Sequence, residues 1–171
     1  MNYFAELQST IQRLDHIKLQ ALLAFVKDCE GTLWLAGNGG SASTAQHWAC
    51  DLSKTANRRV QALGSNPAVL TAWANDRDYD EGMAQELFMI ARPDDALICL
   101  SCSGISPNIL AVLEQASIMK LSSALVTSQL SRQLYSGNKA DLIISVPHTH
   151  YGIIEDCHLA IGHWLTEELQ K

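Results

Sequence analysis

The chain has 171 residues, of which 47% are hydrophobic and 18% are charged, and its formal net charge is −6 at pH 7. This length suits one domain with an ordinary hydrophobic core, and the composition is that of a globular protein rather than a disordered or membrane-spanning one. The 12 Lys and Arg residues form no basic stripe, so we expect no direct nucleic acid partner and no membrane partner.

The amino-terminal segment, residues 1–29, is predicted to be helical. Apolar residues recur at three- and four-residue steps from 4 to 26, which is the period of one amphipathic helix or of a helix pair. The apolar face must be covered, so we expect the segment to pack at an oligomer interface. The first residues show no basic stretch followed by an apolar one, which predicts the absence of a signal peptide and a cytoplasmic location.

Residues 30–171 are predicted to form an α/β core in which strands alternate with helices. Strands are expected at 32–36, 96–100, 124–127 and 141–146, helices at 42–54, 81–91, 107–120 and 152–170, and a strand, a turn and a short helix within 60–79. This order predicts a three-layer, doubly wound parallel sheet of the flavodoxin-like kind, as a single domain over 1–171. Apolar residues spread widely around the last helix, so we expect it to pack against another subunit.

The first strand runs into a glycine-rich loop, Gly37 to Ser41, with the sequence Gly-Asn-Gly-Gly-Ser. Glycine lets a ligand approach the backbone closely, and the side chains of Asn38 and Ser41 can form hydrogen bonds with sugar hydroxyls. A tight turn alone would also explain the glycines. Because the loop lacks the GxGxxG spacing of a dinucleotide site, we expect no nucleotide cofactor.

A serine-rich loop follows the strand at 96–100. It places Ser101, Ser103 and Ser106 just before a helix that is predicted to begin near Pro107. Hydroxyls and backbone N–H groups would converge there on the positive end of the helix dipole, which is a suitable site for phosphate. An ordinary helix N-cap is the alternative, but a cap needs one serine, and three at this spacing favour a bound phosphate.

The five cysteines show no CxxC spacing. Cys29, Cys50, Cys99 and Cys157 lie in apolar stretches and are predicted to be buried free thiols, because a free thiol behaves as a small hydrophobic group. Cys102 differs from them because it lies inside the serine loop.

Several motifs together resemble a known enzyme family. The glycine-rich loop is followed by 45–49 (Ala-Gln-His-Trp-Ala), 70–76 (Leu-Thr-Ala-Trp-Ala-Asn-Asp), the serine loop and 155–163, in the same order as in the phosphoheptose isomerases, a branch of the sugar isomerase (SIS) domain family. The similarity extends from about residue 31 to the end. It implies a homotetrameric aldose–ketose isomerase, with active sites at subunit interfaces, that converts sedoheptulose 7-phosphate to D-glycero-D-manno-heptose 7-phosphate for lipopolysaccharide synthesis.

The resemblance also implies roles for individual residues. Asp51 would be the catalytic base and His163 the acid, and zinc would be bound by His47, Asp51, Glu155 and His163. His47 and Asp51 are four residues apart, so one helix face can direct both to one point, although an exposed ion pair is the alternative. The implied substrate-binding residues are Asn38, Gly39, Gly40, Ser41, Asp51, Asn75, Asp76, Ser101, Cys102, Ser103, Ser106 and Glu155.

Five positions depart from the family's pattern, and they bear on activity and on substrate fit. One of them is Gly152, which stands where the family tends to have an acidic residue just before the last helix. Asp51 replaces a Glu and so shortens the carboxylate by one methylene, while Glu155 replaces a Gln and adds negative charge. Within the serine loop, Cys102 and Ile105 replace a Thr and an Asn. A second interpretation is a non-catalytic SIS protein, similar to the DnaA initiator-associating protein, that acts as a protein-binding platform. That relative has lost the carboxylate and the final histidine, so their retention here favours the enzyme.

Overall fold

Five parallel strands alternate with helices in the computed structural model, which describes residues 2–129 and 139–171. The strands are β1 (Leu33–Gly37), β2 (Val60–Ala62), β3 (Ala96–Ser101), β4 (Ser122–Ser128) and β5 (Leu142–Val146). The helices are α1 (Tyr3–Gln12), α2 (His16–Asp28), α3 (Gly39–Lys54), α4 (Pro67–Asp76), α5 (Gly82–Ile90), α6 (Pro107–Ile118) and α7 (Tyr151–Glu168). None of the helices in the described part of the chain could cross a lipid bilayer, since each is too short or too polar.

The strand order is β2-β1-β3-β4-β5, with every neighbouring pair parallel. This order confirms the predicted flavodoxin-like, doubly wound sheet. After β2 the chain returns across β1 to form β3 on its other side, so the order reverses between β1 and β3. Ligands bind at such a reversal, outside the carboxyl ends of the strands. The topology thus predicts a site where the glycine-rich and serine-rich loops begin.

Apolar residues cover both faces of the sheet. In β1, Leu33 and Leu35 point into a core beneath α2, α3 and α7, whereas Trp34 and Ala36 point into a second core beneath α5 and α6. Successive side chains of a strand alternate between faces, so a strand that is buried on both sides reads as a continuous apolar run. The continuous apolar run at 96–100 is explained in the same way, since β3 is buried along its whole length.

The amino-terminal segment is a helix pair rather than one helix. The chain breaks before α2 because Asp15 caps that helix, accepting hydrogen bonds from the backbone N–H groups of Ile17 and Lys18. α1 packs against α7, where the Tyr3 hydroxyl donates to Asp156 Oδ2 at 2.7 Å. Phe4 and Ile17 remain 80% and 82% exposed. Packing of these helices at an oligomer interface stays a prediction.

The cysteines divide into buried and accessible thiols. Cys99 and Cys157 are buried, as predicted, and burial raises the pKa of the Cys157 thiol to about 11. Cys29 is half-buried. The prediction for Cys50 was wrong, because this residue lies on the solvent-facing side of α3 and is exposed. Trp48 and Leu52, two residues to either side of Cys50, are buried, but Cys50 lies on the opposite face of the helix. Local composition alone does not reveal which face a residue occupies.

His158 lies in α7 with its side chain fully buried. Neither ring nitrogen has a hydrogen-bond partner within residues 2–129 and 139–171. Burial lowers the pKa of this imidazole from 6.5 to about 4, because the charged form would lose its hydration. The folded protein therefore holds His158 in its neutral form across the physiological pH range.

We expect His158 to make the protein less stable as the pH falls below 6.5. Between 6.5 and about 4 the unfolded chain binds a proton at this residue that the folded chain does not bind. The free energy of unfolding then decreases by up to about 1.4 kcal/mol per pH unit. Urea unfolding over this range measures how steeply the free energy of unfolding depends on pH. We expect His158→Leu to make this dependence weaker and His16→Leu, at an exposed site, to leave it unchanged. Equal slopes in the parent and His158→Leu would contradict the prediction.

Candidate active site

The glycine-rich and serine-rich loops lie side by side at the carboxyl edge of the sheet. Gly37 at the end of β1 pairs in register with Leu100 of β3, so the two loops start from neighbouring positions. α3 begins in the first loop at Gly39 and α6 begins after the second at Pro107. The amino ends of both helices border this region, and their dipoles favour an anion there.

A small cavity of about 100 Å³ lies between these helix ends. Its lining residues come from both loops and from the start of α7, and they are Asn38, Ser41, Leu100, Ser101, Cys102, Ser103, Ser106, Tyr151 and Glu155. Small-molecule pockets usually enclose several hundred Å³, so a space of this size suits one anionic group rather than a nucleotide. The cavity lies between the two loops at which the sequence predicts a phosphate site, and phosphate binding there stays a prediction.

A larger cavity of about 320 Å³ lies at the opposite edge of the sheet, where β3 and β4 begin. Its walls include the carboxylates of Asp28, Glu30, Asp94 and Asp95, with Lys120 as a basic residue. Asp95 is occupied with structural bonds, since its two carboxylate oxygens accept from the Thr32 N–H, the Trp34 indole and the Arg92 N–H. A wall of this charge disfavours a phosphorylated ligand, so size alone does not identify the site.

The serine loop is ordered by its own hydroxyls. Ser101 Oγ accepts from the Gly104 N–H at 3.0 Å, and Ser103 Oγ accepts from the Ile105 N–H at 3.3 Å. Gly104 has a φ of +68°, a backbone conformation that glycine adopts without strain. Ser106 is the N-cap of α6, yet its side chain caps none of the helix N–H groups. Pro107 has no N–H group, and the Ile109 and Leu110 N–H groups donate to the Ser106 backbone oxygen, so the donor of the first turn that Ser106 leaves uncapped is the Asn108 N–H.

Asn38 is held by an amide network that sequence reasoning missed. Its side chain exchanges two hydrogen bonds with Asn108 of α6, Nδ2 to Oδ1 at 2.8 Å and the reverse at 2.7 Å. The Tyr79 hydroxyl also donates to Asn38 Oδ1, at 2.8 Å. Asn38 Oδ1 thus accepts two hydrogen bonds, and one of the two Nδ2 hydrogens is donated to Asn108. At most the second Nδ2 hydrogen is left for a sugar hydroxyl. The network joins the glycine-rich loop to α6 and to the segment before α5.

Replacing Asn108 with Asp is expected to lower the free energy of unfolding by about 1–3 kcal/mol, because an acceptor on the buried residue 108 would then face Asn38 Oδ1 in this partly buried pair. Asn108 is 2% exposed, so water cannot compensate. The amino end of α6 favours the new charge by only about 0.3–1 kcal/mol. Urea unfolding measures the change, with Asn75→Asp on the exposed end of α4 as the matched control. Equal stability of Asn108→Asp and the parent would contradict the expectation.

Glu155 introduces a carboxylate into the cavity. A methyl group at Gly40 would collide with this carboxylate, so the glycine makes room for Glu155 beside the first turn of α3. Cys102 is 7% exposed, and burial together with the negative charge of Glu155 raises the pKa of its thiol. The Cys102 thiol therefore stays protonated at neutral pH and does not act as a nucleophile.

A second cluster joins α3 to α7. His47 Nε2 lies 3.1 Å from His163 Nε2 and 3.2 Å from Asp51 Oδ2, and His163 Nε2 lies 3.8 Å from the same Asp51 oxygen. His47 and Asp51 share one face of α3, one turn apart, as their spacing predicts. The ligand atoms of all three lie within 4.8 Å of one another. This set could therefore hold a metal ion.

The donor set fits a catalytic metal site. Two imidazoles and one carboxylate are the ligands that zinc takes in many hydrolytic enzymes, with a further position open to substrate or water. Only one proton can lie between two imidazole Nε2 atoms at 3.1 Å, so a cation can replace it and bind a lone pair from each ring. The half-exposed position of His47 and His163 leaves this point open to ligands.

Other predicted site residues lie apart from this cluster. Glu155 is eight residues before His163 on α7, about 12 Å along the helix axis, and its carboxylate faces the phosphate-sized cavity instead. Asn75 and Asp76 are exposed at the end of α4, where the Asn75 amide donates to Asp76 Oδ1 at 2.9 Å. They come just before Tyr79, which contacts Asn38. A substrate contact for this pair stays a prediction.

Comparisons with known proteins agree with this geometry. Residues 2–128 match the SIS domain family. The chain belongs to this family, in its phosphoheptose isomerase branch. The phosphoheptose isomerase of Chlorobaculum parvum is 35% identical to it over 182 residues, covering 100% of this chain and 86% of the relative.

Solved structures of SIS proteins show the same fold. A phosphoheptose isomerase from Neisseria gonorrhoeae superimposes with a TM-score of 0.87 at 25% identity, covering 97% of this chain and 94% of that chain. One from Francisella tularensis gives a TM-score of 0.86 at 27% identity, covering 99% and 95%. The resemblance that the sequence motifs indicated is therefore confirmed.

Proposed function

We propose that this SIS protein is an aldose–ketose isomerase that converts sedoheptulose 7-phosphate to D-glycero-D-manno-heptose 7-phosphate, a precursor of lipopolysaccharide. The proposal rests on one observation above all: a carboxylate and two imidazoles converge on α3 and α7, the same helices that border the phosphate-sized cavity. The phosphoheptose isomerase name of its relatives supports the same reaction.

The distance between the two sites suits a long sugar phosphate. Six residues of α3 separate Ser41 in the cavity from His47 in the cluster, a rise of about 9 Å along the helix. An open seven-carbon chain with phosphate on C7 spans a distance of this order. Its C1 and C2 would then lie near the cluster while its phosphate lies in the cavity.

Each end of the substrate would meet different groups. The phosphate would accept hydrogen bonds from the hydroxyls of Ser101, Ser103 and Ser106 and from the Asn108 N–H at the start of α6, with the helix dipole adding attraction. Asn38 to Ser41 would contact sugar hydroxyls. Glu155 would face the substrate from α7, where its carboxylate can accept from a hydroxyl and would repel a second anionic group.

The reaction moves a carbonyl from C2 to C1 with no net oxidation. Asp51 takes a proton from C1 while His163 donates one to the oxygen on C2, which gives an enediol. The oxygen on C1 then loses its proton to His163, which restores the acid, as Asp51 returns its proton to C2. The aldehyde thus forms at C1, and both residues end in the protonation states in which they began. Positioned acid and base groups of this kind contribute rate factors of about 10²–10⁴.

We propose zinc as the cofactor, held by His47, Asp51 and His163. His163 would bind the cation through Nε2, the atom that lies near the other two ligands, and would donate its proton from Nδ1. When bound there, a divalent cation would stabilise negative charge on the two substrate oxygens as the proton leaves carbon. Glu155 could join these ligands only across a subunit contact or after a movement of its side chain, since its carboxylate faces the cavity in the isolated chain.

We further propose that the chain is a single SIS domain in a cytoplasmic homotetramer with active sites near subunit contacts. Exposed Phe4 and Ile17 on the helix pair support an interface there. A protein-binding platform similar to the DnaA initiator-associating protein is the alternative function. Retention of Asp51 and His163 in one cluster favours the enzyme.

The decisive comparison is turnover of sedoheptulose 7-phosphate by the purified protein, with and without zinc, beside sedoheptulose that lacks phosphate. We expect conversion of the phosphorylated sugar only, with His163→Ala strongly impaired. A protein that converts neither sugar under any metal condition, yet binds a partner protein, would support the platform instead.

A further inference from the structure

α3 and α7 pack closely against each other where Trp48 meets Gly162. A Cβ at Gly162 would collide with the pyrrole side of the Trp48 indole. The indole Nε1–H also donates to the backbone oxygen of His158, one turn earlier on α7, at 3.1 Å. Trp48 is 1% exposed, so packing fixes its orientation on every side. α7 is therefore held against α3 both by close packing and by a buried hydrogen bond.

The metal-ligand cluster borders this contact on both helices. On α3, His47 directly precedes Trp48, and Asp51 follows it by three positions. On α7, His163 directly follows Gly162. Any change in the separation of the helices at Trp48 is therefore transmitted to the 3.1 Å between the two imidazole Nε2 atoms.

We propose that the Trp48–Gly162 contact is the positioning element of the His47–Asp51–His163 cluster, setting the helix separation at which three side chains can bind one divalent cation. The inference rests on the proposed function, and it assigns to Trp48 and Gly162 a role that acts only through the three ligands. Zinc–nitrogen bonds have lengths of about 2.0–2.1 Å with little tolerance, so a shift of one helix by about an ångström is enough to remove a ligand.

Two substitutions change this contact in different ways. Gly162→Ala adds a methyl group that forces the indole or α7 to move. Trp48→Phe keeps an aromatic ring but removes the indole N–H, so the hydrogen bond from the indole to the His158 backbone oxygen is lost. Trp34→Phe is the matched control, since Trp34 is also buried and donates its indole N–H, to Asp95 Oδ2 at 2.8 Å, in the other core.

The test is titration of each folded protein with Zn²⁺ by calorimetry, together with its thermal midpoint. Changes to groups that orient metal ligands usually cost about 10- to 100-fold in metal affinity. We expect a loss of at least about tenfold for Gly162→Ala and for Trp48→Phe, and a change below about twofold for Trp34→Phe despite a similar loss of thermal stability. Parent-like zinc affinity in both variants at the contact would overturn the proposal, as would an equal loss in Trp34→Phe.

A crystal structure of Gly162→Ala separates this inference from the proposed function. If the parent binds no zinc, the metal part of the proposed function fails. The positioning role is tested separately, by the distance between the His47 and His163 Nε2 atoms in this structure. We expect that separation to exceed the parent's 3.1 Å by about an ångström or more. An unchanged separation would overturn the positioning role whatever the zinc result.

Discussion

Replacing Asp51 with Asn is expected to lower kcat for sedoheptulose 7-phosphate by about 10²–10⁴-fold, the usual contribution of a positioned base. An amide cannot take the proton from C1, and it is also a weaker ligand for a divalent cation. KM is expected to change much less, because the phosphate would be bound by the serine loop at the other end of α3. Steady-state kinetics with the sugar phosphate measure both constants.

Two further variants control for side effects of the Asp51 substitution. Asp28→Asn makes the same chemical change at an exposed position on α2, beside the acidic cavity at the opposite edge of the sheet, and should keep the parent's kcat. Asp51→Glu lengthens the carboxylate to the one usual in the family, and we expect it to retain activity within about tenfold. An Asp51→Asn protein as fast as the parent would remove Asp51 from the mechanism.

Removing divalent metal with a chelator is expected to lower kcat by at least about a hundredfold, and added zinc should restore it. A cation at a developing enediolate supplies several kcal/mol of charge stabilisation, which corresponds to a factor of this size or larger. The measurement is turnover of metal-stripped protein during titration with Zn²⁺. Full activity after verified metal removal would show that the cluster works without a cation.

Two histidine variants locate that metal. His47→Ala removes one of the three ligands and is expected to raise the zinc concentration needed for half-maximal activity by at least about tenfold. His150→Ala is the control, since His150 is exposed at the N-cap of α7 and lies outside the cluster. Equal zinc dependence in the two variants would place the metal elsewhere.

The strand framework could be predicted because it depends on local patterns. The apolar runs before Gly37 and Ser101 are buried on both faces, so each signalled a central strand, and glycine and serine marked the loops that follow. The adjacency of those loops depends on the direct pairing of β1 with β3, which the strand order shows and local patterns do not. Within the candidate site, the convergence of His47 with Asp51 followed from helical spacing.

Contacts between distant segments could not be predicted in this way. The Asn38–Asn108 pair joins residues 70 positions apart, and both are ordinary amides whose pairing depends on how α6 packs against β3 and β4. The contact of Gly162 with Trp48 likewise depends on the crossing of α3 and α7. Cys50 was misplaced because a shift of one residue around a helix turns a buried position into an exposed one.

In the proposed mechanism Asp51 carries a proton between C1 and C2. Isomerisation of sedoheptulose 7-phosphate in deuterium oxide, followed by NMR, measures this transfer. We predict that deuterium from solvent enters C2 of the heptose 7-phosphate product and C1 of the recovered substrate over many turnovers, and that Asp51→Asn abolishes this exchange. Turnover that leaves both sugars free of deuterium would indicate hydride transfer between the carbons and would rule out Asp51 as the base.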